Sequence, residues 1–206
     1  MFRLAGGDAS QYEFDHMLPD PYNRLPEIAL HRVNAVSRET LFRQGSVTKG
    51  LFVVLSGRVH LERVGPNGER FVIHRATAGT SFAEASIFSD RYHCDAVVIE
   101  AGDLVRIDKT AVLAAFADTD FALSYGRQAS RQIQAQRQLL EIVGIRRAED
   151  RVLAGLVAGL LDSTVVEFAA LLQLSHEAAY RALRVLVDAG HVINPSRGEY
   201  RLRAAT

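Results

Sequence analysis

The stretch Thr164-Val-Val-Glu-Phe-Ala-Ala-Leu-Leu-Gln-Leu-Ser175-His-Glu-Ala-Ala-Tyr-Arg-Ala-Leu-Arg-Val-Leu-Val-Asp-Ala-Gly190 decides the fold. Its first four residues, Thr164 to Glu167, read as a capping box, in which the threonine hydroxyl and the glutamate side chain each satisfy an orphan backbone donor of a new helix. That helix carries Phe168, Ala169, Leu171 and Leu172. Gln173–Leu174 leaves room for only a very short turn. Ser175 is a good N-cap for the next helix, whose buried face is Ala179, Ala182, Leu183, Leu186 and Val187. Gly190 closes it as a C-cap. Strand, turn and strand then follow over 191–194, 195–198 and 199–202. Two helices joined this tightly, with a β-hairpin behind them, predict a winged helix-turn-helix.

The exposed face of the second helix collects His176, Glu177, Tyr180, Arg181 and Arg184, and the hairpin adds Arg197. A helix fits the major groove, where bases offer acceptors to arginine and a cytosine amino group to glutamate. These six residues are therefore the expected DNA-binding set. Taken alone, Glu177 and Arg181 also fit a surface ion pair one turn apart. The capping box, the short turn, the alanine-rich packing face and the arginine-bearing hairpin favour base readout. Residues 146–206 hold eight arginines against seven acids, a net of +1. Affinity must then come from arginines gathered on one face, not from bulk charge.

Upstream, Val152, Leu153, Leu156, Val157, Leu160 and Leu161 predict a shorter helix, broken by Asp162, Ser163 and Thr164. Before it runs a helix of some 25 residues with a narrow apolar stripe: Phe121, Tyr125, Ala129, Ile133, Leu140 and Val143, with Gln136 filling the gap. Such a seam between polar flanks suits a two-helix homodimer interface. The bland alternative is a long helix lying on its own domain.

From about Val33 to Lys109 the texture is β. Short apolar runs (51–55, 59–64, 71–73, 97–99 and 104–107) alternate with glycines, and Asn67–Gly68 marks a tight hairpin. Strands this short and closely spaced predict a sandwich, barrel or roll. Pro19, Pro21 and Pro26 mark an irregular arm ahead of it. The reading is an α+β chain in three parts: a β-roll with its arm over 1–112, a dimerisation helix over 113–147, and a winged helix-turn-helix over 148–206.

Composition narrows the function. Lysine plus arginine equals aspartate plus glutamate at 24 each, so no global charge advertises a nucleic acid or membrane. Yet all the cations but Lys49 and Lys109 are arginines, the residue of planar, bidentate recognition. The single cysteine, Cys94, excludes an intramolecular disulfide and a four-cysteine zinc or iron–sulfur site. No apolar run reaches membrane-spanning length and no signal-peptide pattern opens the chain, so a soluble cytoplasmic protein without a membrane partner is expected. No nucleophile–base order, phosphate loop or carboxylate couple suggests an enzyme.

Over about 170 residues the chain resembles the Crp–Fnr family of bacterial regulators. The matching segments are Glu39-Thr-Leu-Phe-Arg-Gln-Gly45, Gly50-Leu-Phe-Val-Val-Leu-Ser-Gly57-Arg-Val59, Gly79-Thr-Ser-Phe82-Ala-Glu84-Ala-Ser-Ile-Phe88 and Leu174-Ser-His-Glu177-Ala-Ala-Tyr-Arg181-Ala-Leu183. The resemblance implies a β-roll like a cyclic nucleotide-binding domain, a dimer helix, and a winged helix reading pseudo-palindromic double-stranded DNA, with RNA polymerase as a further partner. It places base contacts on Glu177 and Arg181. Where the family commonly has arginine before that glutamate, this chain has His176, which changes the expected half-site.

The sensor pocket departs further. Family members that bind cyclic nucleotides hold the ribose with a glycine–glutamate pair and the phosphate with an arginine and a hydroxyl residue. Those positions fall on Ala83, Glu84, Cys94 and Asp95. Arg91, three residues upstream, is the one nearby substitute cation. Cyclic AMP is therefore not the expected effector, the small-molecule effector is unknown, and no cofactor is required. Cys94 beside His93 leaves three readings open: a small hydrophobe, a redox thiol, or a soft ligand for haem or metal. Neighbours on a strand point to opposite faces, so His93 and Cys94 do not share one centre. A cyclic-nucleotide or other small-ligand binder, and a redox or haem sensor acting through Cys94, are the alternatives to a DNA-binding regulator.

Overall fold

A computed structural model describes residues 18–66, 68, 70–162, 164–196 and 198–203. The chain folds as two compact units that divide between Arg127 and Gln128.

Among the described residues the first unit has eight strands: β1 (Leu30–Ala35), β2 (Thr40–Phe42), β3 (Gly50–Val54), β4 (Arg58–Val64), β5 (Arg70–Thr77), β6 (Ser81–Phe82), β7 (Asp95–Glu100) and β8 (Gly102–Asp108). They form two four-stranded antiparallel sheets, ordered β1-β8-β3-β6 and β2-β7-β4-β5. β4 and β5 pair as the expected hairpin, with Val64 opposite Arg70 and Gly68 at φ +86°. Asn67 of that turn lies outside the described residues.

Strand β3 is buried at all five positions because both of its faces are covered. Phe52 and Val54 join Phe42, Phe82, Tyr92 and Cys94 inside the roll. Leu51 and Val53 face an outer layer of Leu18, Tyr22, Leu25, Ile87, Val112, Phe121 and Tyr125. Gly50 is required where β3 meets β8: a Cβ there would stand 1.9 Å from the Ile107 carbonyl oxygen. The described part of the proline-rich arm is more ordered than expected. It makes two 3-10 turns, Tyr22–Arg24 and Glu27–Ala29, and Tyr22 is completely buried.

The helical span expected from residue 113 is interrupted. Helix α1 (Lys109–Ala115) stops, and α2 (Thr119–Val143) starts anew after Asp118, whose carboxylate accepts the Phe121 amide at 2.9 Å. The proposed seam also needs correction at its start. Phe121 and Tyr125 are buried in the outer layer of their own roll, so they are not available to a partner. Ile133, Gln136 and Leu140 are exposed, and Ala129 and Val143 half-buried. An exposed run at spacings of three and four instead passes through Leu123, Gly126, Ser130, Ile133, Arg137 and Leu140.

The second unit has α3 (Ala148–Val157), α4 (Val165–Leu171), α5 (His176–Asp188) and a two-stranded wing, β9 (Val192–Ile193) with β10 (Arg201–Leu202). Helix α3 ends before the expected Leu161 because Gly159 takes a left-handed conformation at φ +70°. Its core gathers Ile142, Val152, Leu156, Phe168, Leu172, Leu183, Leu186 and Val192. Among the described residues no helix is long and apolar enough to cross a membrane.

Candidate nucleic-acid interface and sensor pocket

The turn between α4 and α5 is as short as expected, with Gln173 at φ +53°. Both predicted caps form. The Thr164 hydroxyl accepts the Glu167 amide at 3.2 Å, and the Ser175 hydroxyl accepts the Ala178 amide at 3.2 Å. Helix α5 buries Ala179, Ala182, Leu183 and Leu186, and Gly190 follows it at φ +77°. Small side chains on this face let α5 sit close to α3 and α4, and His176, Glu177, Tyr180, Arg181 and Arg184 all stay exposed.

Glu177 does not pair with Arg181 across the turn. Its carboxylate folds back to the start of α5 and meets His176 Nε2 at 2.9 Å. Hydrogen bonds from its own backbone amide and from Ser175 hold its pKa below the ordinary value, and the nearby His176 and Arg181 charges add to this. Arg181 and Arg184 form no ion pair among the described residues, so both guanidinium groups remain open to a ligand. Arg197 lies outside the described residues.

In the roll, the expected pocket residues divide. Ala83 sits at φ +68°, in the left-handed region that favours glycine and costs an alanine about 1–2 kcal/mol. Glu84 follows it and accepts a hydrogen bond from the Ser81 hydroxyl. Tyr22 donates its own hydroxyl to Ser81 at 3.3 Å, and its ring meets Tyr125 edge-on at 6.4 Å. Burial pushes the Tyr125 phenol up to about 12, and the Glu84 charge acts in the same direction. Burial lowers the pKa of His74 on β5, partly offset by Glu84. Sequence reasoning missed Tyr22, His74 and Ser81 around Glu84, and assigned Tyr125 elsewhere. None of the four lies at a spacing that marks it.

The remaining pocket residues point to other partners. Arg91 is exposed and its Nη1 donates to the Gly45 carbonyl at 2.6 Å. Asp95 accepts the Gln44 amide at 2.7 Å. Cys94 is buried among the apolar residues of the roll and His93 is exposed, but both lie in a bend just before β7, not on a strand as expected. Burial raises the Cys94 thiol above its ordinary pKa. Arg63, not His93, supplies the opposing charge, and Asp95 adds to the rise.

The chain thus joins a two-sheet roll with a helical cover to a winged helix-turn-helix. Residues 32–119 match the cyclic nucleotide-binding domain. Solved structures match over nearly the whole chain. The c-di-GMP-responsive global regulator CLP of Xanthomonas campestris is 18% identical, with TM-score 0.65, over 96% of this chain and all of its own. FixK2 of Bradyrhizobium japonicum is 16% identical, with TM-score 0.68, over 85% of this chain and 93% of its own. A CRP/FNR-family transcriptional regulator of Thermus thermophilus is 18% identical, with TM-score 0.59, over 84% and 94%. No curated protein sequence matches the chain. Residues 32–119 are thus similar to the cyclic nucleotide-binding domain, and the chain shares the fold of solved CRP/FNR-family structures, as its sequence resemblance implied.

Proposed function

We propose that this protein is a dimeric, sequence-specific DNA-binding transcription regulator of the cytoplasm, not an enzyme, with a β-roll that senses something other than cyclic AMP. The observation that carries the reading is α5. It stands behind a short turn with Glu177, Arg181 and Arg184 exposed on one face and neither arginine engaged in an ion pair among the described residues. A pseudo-palindrome with half-sites one helical turn apart fits a two-fold dimer, one α5 per major groove. RNA polymerase is the expected protein partner.

Two observations bear on the effector. The position of the phosphate-holding arginine is a buried, apolar Cys94, and Arg91 is engaged at Gly45. A cyclic nucleotide would enter with a full negative charge and no cation to meet it. A redox or haem role for Cys94 is disfavoured by its burial and its raised pKa, since thiolate character and access govern reactivity. The test is selection of duplexes from a randomised library, followed by Arg181→Ala. Loss of roughly 1–3 kcal/mol on the selected site, with relaxed preference at one base pair, supports the reading. Equal loss on selected and scrambled duplexes refutes base readout by Arg181.

A further inference from the structure

We propose that His176 is a proton-dependent base reader, whose ring presents a hydrogen-bond acceptor to DNA when neutral and a donor when charged. This role rests on α5 being the base-reading helix. His176 is the first residue of α5 and Glu177 the second. The imidazole Nε2 stands 2.9 Å from the Glu177 carboxylate, and the two side chains are 59% and 63% exposed. Nδ1 makes no hydrogen bond among the described residues, which leaves it as the ring atom open to a ligand.

The contact with Glu177 fixes the tautomer. An ionised carboxylate only accepts, so the neutral ring carries its proton on Nε2 and Nδ1 is a bare lone pair. Glu177 stays ionised, since hydrogen bonds from its own backbone amide and from Ser175 hold its pKa below the ordinary value. Protonation of the ring adds a hydrogen to Nδ1 and reverses its polarity. In the major groove the lone pair matches the amino group of cytosine or adenine, and the N–H matches the guanine acceptors N7 and O6. Imidazole is the side chain that ordinarily changes charge between about pH 5 and 8.

The surrounding charges tie this change to DNA. In the free chain the positive end of α5 opposes a cation at its first residue, and the Glu177 charge offsets that opposition. Duplex phosphates then favour the charged ring. Arg181, the other charge acting on Glu177, lies one turn along the same helix. The charges of the elements packed on α5 are engaged or placed elsewhere. On α3, Glu149 and Asp150 face Arg147, and Arg151 bonds the Leu172 carbonyl. Glu167 lies in the first turn of α4, whereas the turn into α5 follows its last. The wing pairs Glu199 with Arg201. The other histidine of this unit, His191, follows the opposite end of α5.

The experiment selects duplexes from a randomised library at about pH 8 and about pH 5.5, using wild type, His176→Gln, His176→Arg and Arg181→Ala. Thermal melting checks the fold at both values. At one position wild type should prefer cytosine or adenine at the higher pH and guanine at the lower, with at least about a tenfold change in the ratio of the two affinities. His176→Gln should show one preference at both values, and His176→Arg should keep guanine at both. Arg181→Ala should relax a different position. Nitrogen NMR of the free chain, its signal assigned by loss in His176→Gln, should find Nε2 protonated throughout and Nδ1 only at the lower pH.

One base preference at both pH values in wild type, with Arg181→Ala still relaxing its own position, overturns the proton-dependent reader and leaves the base-reading helix standing. A pH-dependent preference that persists in His176→Gln assigns it to another group and overturns the proposal. So does an affinity that changes with pH equally on every duplex, which would make His176 a phosphate contact. A neutral ring protonated on Nδ1 overturns the tautomer on which the proposal depends. A wild-type protein that selects no duplex at either pH overturns both readings.

Discussion

Arg151 bonds the carbonyl of Ile145 twice, through Nε at 2.8 Å and Nη2 at 2.5 Å. Its third donor, Nη1, reaches the carbonyl of Leu172 at 3.2 Å. One guanidinium on α3 thereby ties the end of the segment after α2 to the end of α4, immediately before the turn into α5. Both carbonyls would otherwise terminate helical segments without partners.

Replacing Arg151 by methionine keeps most of the side-chain volume and removes every donor. A half-buried acceptor left without its partner costs about 1–3 kcal/mol, so Arg151→Met should destabilise the second unit by roughly 2–3 kcal/mol. Denaturant unfolding followed by circular dichroism measures it. A change under 0.5 kcal/mol would mean that water replaces the guanidinium without penalty.

The exposed apolar residues of α2 make the oligomer testable. Ile133 is 48% and Leu140 72% exposed in the single chain, seven residues apart on one helix face. Charging both positions would bury unpaired charges in a two-helix seam. Ile133→Glu/Leu140→Glu should therefore sediment as a monomer where the parent is a dimer. Phe121→Ala, by contrast, should act through the core of the roll, with loss of about 3–5 kcal/mol in stability. A double-glutamate variant that remains dimeric would place the interface elsewhere.

Calorimetric titration with cyclic AMP or cyclic GMP should show no binding at micromolar concentration. The missing arginine contact alone costs about 1.5–3 kcal/mol. Asp95, next to the same position, adds a like charge worth on the order of 1 kcal/mol at a partly wet site. Together they predict affinity at least roughly a hundredfold below that of a binder with the arginine. Micromolar binding would require Arg91 to leave the Gly45 carbonyl, and Arg91→Ala would then abolish it.

The half-buried His74 and the buried Tyr125 give the roll a defined pH range. The folded pKa of His74 lies below 6.5, so the unfolded chain takes up a proton first, and stability falls as pH drops from 6.5 toward the folded value. Tyr125 acts at the opposite end. Its folded value of about 12 against an ordinary 10 means that stability is full below pH 10 and declines as pH rises from 10 to 12. His74→Gln should flatten the acid side of a plot of melting temperature against pH. Burial also raises the Tyr92 phenol, so phenolate absorbance should show Tyr125 and Tyr92 titrating late, Tyr125 as the fold is lost. An unchanged acid limb in His74→Gln would assign it to another group.

The winged helix was legible because its signals are local. The Thr164 and Ser175 hydroxyls each cap an amide three residues on, and Gly190 takes a left-handed conformation at the end of α5, each where it was read. The strands were legible in outline, since glycines and alternating apolar runs punctuate them. What escaped was non-local. Tyr22 looks like part of a polar, proline-rich arm, yet it is buried against β6 and α2 by residues 59 and 103 positions away. Phe121 and Tyr125 share a helical stripe with Ile133 and Leu140, and periodicity cannot distinguish a face packed on its own sheet from one left for a partner. Asp118, which restarts the helix, reads as an ordinary polar residue until its bond to the Phe121 amide is seen.

The burial of Cys94 has a practical consequence. The chain's one thiol is 6% exposed and held protonated above its ordinary range, so alkylating reagents at neutral pH meet a slow target. A cysteine introduced on the wing or on the open face of α5 would react far faster. Site-directed spin or fluorescent labels can thus be attached singly to each chain without first removing the native residue. Distances between paired labels in solution would test the proposed dimer and report the separation of its two α5 helices.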